Sequence, residues 1–122
     1  MDSAAEPSQR VRRIVHSDLT YFILPNYCDY PCANFFVFSE RSQCYFRGRP
    51  ELLDAYEKVP KRAVVVSNTN EENFRQAMAY QAYEKADILF LPAKKYGKES
   101  IKGDLLTSRD AVSDIMAFVQ KQ

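Results

Sequence analysis

Residues 63–91, AVVVSNTNEENFRQAMAYQAYEKADILFL, decide how this chain is read. The runs at 63–66 and 88–91 are short, continuous and apolar, the pattern of strands buried on both faces of a parallel sheet. Between them Thr69-Asn-Glu-Glu72 has capping-box spacing, and a helical stretch follows to Ala86. Together they predict a β-α-β unit, with a right-handed crossover by the general rule for parallel strands.

Upstream, residues 19–24 (LTYFIL) are aromatic and β-branched and stop at Pro25-Asn26, which predicts a strand and a turn. Residues 25–33 carry two prolines with Asn and Asp, an irregular loop. The apolar residues 35–38 and 44–46 flank the polar stretch 39–43, a spacing that predicts a β-hairpin. Pro50 opens a short amphipathic helix carrying Leu52, Leu53, Tyr56 and Val59, closed by Pro60. Downstream, residues 100–105 read as a short strand. A last helix starts at Thr107 or Ser108, with Val112, Ile115, Met116 and Val119 on one stripe and Asp110 in the first turn.

The expected fold is a single-domain α/β sandwich: a mixed sheet with a β-hairpin, one β-α-β unit and about three helices. Residues 1–9 read as a flexible tail and 10–122 as the domain. This order of elements resembles that of STAS-type regulatory domains and, less closely, thioredoxin-like proteins. No motif of either family accompanies it, so it implies an architecture and not an activity.

Composition narrows the function classes. The 17 Lys and Arg nearly balance 16 Asp and Glu, leaving a net charge of +1 and no broad positive field, so nucleic acid is an unlikely main partner. Three glycines cannot build either a GxGxxG fingerprint or a Walker loop. No apolar run approaches a membrane span, the N-terminal stretch lacks the apolar core of a secretory signal, and three cysteines suit a reducing compartment. The expected location is therefore the cytoplasm.

Four groups of residues stand as candidate sites. Cys28 and Cys32 form C-x3-C, one residue longer than a redox pair. With strand-like residues following, the pair lacks the helix that would activate its thiol. Adding Cys44 and His16 gives the ligand count of tetrahedral zinc, but only one pair has knuckle spacing, so no metal or other cofactor is expected. Ser67, Asn68, Thr69 and Asn70 join a parallel strand to a helix N-terminus, the edge where open α/β sheets bind ligands; capping explains the same residues. Lys94, Lys95 and Lys98, with Lys102, offer an anion-binding loop, and Arg10, Arg12 and Arg13 share that ambiguity.

On the middle helix Phe74, Ala77, Met78 and Ala82 mark one face, leaving Tyr80 and Tyr83, with Gln76, as a candidate interface. Eight Tyr and eight Phe exceed what a domain this small needs unless some face a partner. The leading expectation is a small non-catalytic regulatory or scaffolding module that binds another protein or itself as a homodimer. The alternatives are a thiol or small-ligand enzyme using Cys28, Cys32 and the residues from Ser67 to Asn70, and an anion or nucleic-acid binder using the lysine loop.

Overall fold

Three strands form one wholly parallel sheet in the order β1-β2-β3: β1 (Thr20–Pro25), β2 (Lys61–Ser67) and β3 (Asp87–Pro92). The computed structural model describes residues 7–26, 31–67, 70–80, 83 and 85–121. The helices are α1 (Pro7–Val15), α2 (Ala33–Phe46), α3 (Pro50–Lys58), α4 (Glu71–Tyr80) and α5 (Arg109–Val119), with short 3-10 turns between β3 and α5. The chain is thus a small α/β domain, as its sequence predicts.

Strand periodicity sorts the side chains onto two faces. On the first, Leu24, Ala63, Val65 and Phe90 meet Phe35, Phe38, Phe46, Tyr56, Phe74 and Met78, so α2, α3 and α4 all cover one face. The sheet order advances in one direction while both crossovers pass over that face, so the two crossovers share one hand. Val11 and Ile14 of α1 join this layer, with α1 packed on α2 and α3. On the second face a smaller cluster, Leu91, Ala93, Leu105 and Ala111, packs with Val64, Val66, Leu89 and Ile115.

The predicted hairpin does not form. Residues 33–46 are one helix, α2, and the sheet is parallel rather than mixed. Phe35, Phe38, Ser39, Ser42 and Phe46 recur at helical spacing on its buried side, and burying that stripe outweighs the strand preference of aromatic residues. The Ser42 hydroxyl, buried there, donates to the Phe38 carbonyl at 2.7 Å, and Gly48 at φ +75° turns the chain away.

Four smaller corrections follow. Residues 100–105 form 3-10 turns and no strand. The helix after β2 is described to Tyr80 and not to Ala86. Helix α1 begins at Pro7, inside the stretch read as a tail, because Val11, Ile14 and Val15 give it an apolar side. On α5 the expected stripe divides: Ile115 packs against the cluster of buried Ala111, whereas Val112, Met116 and Val119 are exposed.

The aromatic residues are used internally. Phe22 meets Phe35 and Tyr83 edge-on, both at 5.6 Å between centroids, and Phe46 meets Tyr56 at 5.0 Å. That network accounts for much of the supposed surplus. Opposite it, buried Arg62 ties the end of α5 to the sheet, donating to the Phe118 carbonyl at 3.3 Å, the Lys121 carbonyl at 2.7 Å and the Tyr21 hydroxyl at 3.0 Å.

Candidate functional site

The expected interface on α4 divides. Tyr80 is 88% exposed and Gln76 is exposed on the same helix, but Tyr83 is only 7% exposed. Its hydroxyl stands 2.8 Å from that of Tyr56 and its ring packs on Phe35. Tyr83 is therefore a core residue and not an interface residue. Tyr83 itself is not helical, so continuing a 100° rotation to it misjudged where it points.

At the strand C-termini, Ser67 is fully buried at the end of β2, while Asn68 and Thr69 lie outside the described residues. Asn70 caps α4, its side-chain oxygen accepting the Asn73 N–H at 3.0 Å. Lys94, Lys95 and Lys98 follow β3 at this end of the sheet. Lys95 lies 3.9 Å from the Asp114 carboxylate, and the Tyr96 hydroxyl donates to the same carboxylate at 2.6 Å. Burial, and then that carboxylate, push the Tyr96 phenol up to about 12. Lys102 pairs with Glu99 at 3.5 Å. Two lysines of the loop thus already face carboxylates, which weakens it as an anion trap.

Cys28 lies outside the described residues. Cys32 is the N-cap of α2, so the helix thought to be missing after it is present, for the reason that removed the hairpin. Cys44 is exposed twelve residues along that helix, about 18 Å away at 1.5 Å per residue, which rules out one zinc ion held by both. Among the described residues no three His, Cys, Asp or Glu side chains converge on a metal position, and no helix is long and apolar enough to cross a membrane.

A feature the sequence reading did not anticipate lies along the outer edge of β1. The Thr20 N–H donates to the Pro60 carbonyl at 3.0 Å and the Asn26 N–H to the Val66 carbonyl at 3.2 Å. In a parallel ladder alternate residues turn their backbone to the partner. The even-numbered residues of β1 therefore face β2, and Tyr21, Ile23 and Pro25 turn their backbone outward. Pro25 has no N–H to offer there.

A groove of about 640 Å³ follows that edge. Arg10, Arg13 and Ile14 of α1, and Cys32, Phe35 and Phe38 of α2, line it together with β1. The opposite edge is managed differently. By the same alternation Ile88, Phe90 and Pro92 face outward on β3, and Arg75 donates to the Ile88 carbonyl at 3.4 Å. A proline thus ends each edge, and the β1 edge opens on a groove. The signals in the sequence were Pro25 at the end of an edge strand and Arg10 and Arg13 one helical turn apart.

No protein-family model, curated protein or solved structure matches this chain.

Proposed function

We propose that this chain is a non-catalytic module that works by binding another protein, in a regulatory or scaffolding role. The observation that carries the reading is the β1 edge: outward backbone groups at Tyr21 and Ile23 beside a groove of about 640 Å³. An open sheet edge is a template for strand addition, which proteins otherwise cover, shorten or charge. Among the described residues Pro25 blunts it, and Pro31, bridged to Asn26, covers its C-terminal end. The three cysteines and near-neutral charge suit a protein of the cytoplasm.

Affinity capture from the native lysate tests the reading, with Ile23→Pro and Gln76→Ala/Tyr80→Ala run beside the parent chain. A near-stoichiometric protein lost with Ile23→Pro supports it. Recovery of the bare chain overturns it, and a partner lost only with the double variant moves the surface to α4.

Thiol chemistry is a second reading, favoured by one observation: Cys32 heads a 14-residue helix and lines a groove shared with Arg10 and Arg13. Helix N-termini and nearby cations are the usual settings of reactive cysteines. Rapid alkylation by iodoacetamide at neutral pH, lost in Cys32→Ser, supports this reading, and alkylation no faster than that of Cys44 overturns it.

A further inference from the structure

We infer that the groove along β1 takes an extended acidic segment of a partner protein as an added strand. This rests on the protein-binding reading above and names the chemistry of the partner.

The backbone defines the shape. Tyr21 and Ile23 each turn an N–H and a C=O outward, and Pro25 a C=O alone, while the ladder to β2 uses none of these groups. A segment bound at Tyr21 and Ile23 gains ladder bonds without breaking any, while the end of the edge is already bridged by Pro31 against Asn26. Pro25 ends the run of donors, so the paired stretch is short, about four residues at roughly 3.3 Å each.

The walls define the side chains. An added strand alternates its residues between the two sheet faces. Those on the first face meet Ile14, Phe35 and Phe38, an apolar wall. Those on the second lie beside Ile23, 76% exposed and open to contact.

Charge defines the sign. Arg10 and Arg13 are exposed on the groove, no Asp or Glu among the described residues lines it, and neither arginine has a carboxylate partner among them. A second copy of this chain paired through its own β1 would bring a like-charged pair to the same joint. A segment carrying Glu or Asp meets opposite charge instead.

The test uses the full chain, ¹⁵N-labelled, titrated at low salt with an acetylated octapeptide of alternating Glu and Val. Controls are the Lys–Val octapeptide and a Glu–Val octapeptide N-methylated at alternate amides. The expected result is saturable binding that shifts the Tyr21 and Ile23 amides, roughly tenfold tighter than for either control. Arg10→Glu/Arg13→Glu and Ile23→Pro each weaken it by about tenfold or more, whereas Ile23→Thr, which keeps the N–H, binds as the parent does. All three positions are exposed, and dispersed spectra of the variants verify their folding.

No saturable binding, equal affinity for the Glu–Val and Lys–Val peptides, or shifts confined to other surfaces overturn the inference. If the peptides fail while a captured partner is still lost with Ile23→Pro, the module reading stands and only the acidic strand is wrong. If the parent chain captures nothing, the module reading itself fails.

Discussion

The hydroxyl oxygens of Tyr56 and Tyr83 stand 2.8 Å apart inside the core, joining α3 to the segment that leads into β3. Both phenols are buried, and Ser39 of α2 adds a further hydrogen bond to Tyr83. Tyr83→Phe leaves the Tyr56 hydroxyl without this partner and is expected to cost about 1–3 kcal/mol. Tyr56→Phe has a similar cost, and the double variant costs less than the two together. Urea denaturation of all four proteins checks this, and strict additivity would contradict a coupled pair. Tyr80→Phe, on the exposed side, is expected to change stability by less than about 0.5 kcal/mol.

The same pair sets a response to alkaline pH. Burial raises both phenols above their ordinary value; the neighbouring Tyr83 raises Tyr56 further, whereas hydrogen bonds to Tyr56 and Ser39 pull Tyr83 partly back. The unfolded chain releases these protons near pH ~10 and the folded chain only higher. Stability is therefore fully present below about pH 10 and falls as pH rises above it, by up to about 1.4 kcal/mol per pH unit for each phenol. Lys61, lowered by burial despite Glu57, acts in the opposite sense up to its ordinary titration range. Urea midpoints from pH ~9 to ~11 for the parent and Tyr56→Phe/Tyr83→Phe isolate the phenols: the parent should lose more.

Arg62 holds the C-terminal end of α5. It is 8% exposed and donates to two carbonyls there, of Phe118 and Lys121. Arg62→Met is expected to cost about 2–4 kcal/mol, because those carbonyls lose their donor. Amide hydrogen exchange should quicken in the last turn of α5 before it changes in β2. Arg62→Lys recovers only part, since an ammonium lacks the planar fork that reaches several acceptors.

Two caps are predicted to contribute separately. The Ser108 hydroxyl accepts the Ala111 N–H at 3.2 Å and the Asn70 side chain accepts the Asn73 N–H at 3.0 Å. Ser108→Ala and Asn70→Ala should each cost about 1 kcal/mol, with glycine costing less. The helices lie on opposite faces of the sheet, so the losses should add within about 0.5 kcal/mol in thermal unfolding.

What was legible in the sequence was what local chemistry dictates. Residues 63–66 and 88–91 read as buried parallel strands because neither run alternates, and β2 and β3 pair in parallel. Pro50 opened a helix and Ser108 capped one as expected. Residues 33–46 were misread because their aromatic residues favour strands locally, whereas a stripe at helical spacing had a sheet face to cover. The α5 stripe divided for a related reason. Periodicity defines an apolar side but not how much of it meets the sheet, and of the stripe only Ile115 packs there, beside Ala111.

The sequence by itself determined the α/β class, the strands β2 and β3 and the helix boundaries marked by proline and capping residues, since each follows from backbone and side-chain preferences within a few residues. Only the tertiary structure decided that Tyr83 is core and Tyr80 surface, that α2 is a helix, and that the edge of β1 opens beside Arg10 and Arg13. Burial and strand order bring together residues distant along the chain, and no local preference encodes which of them will meet.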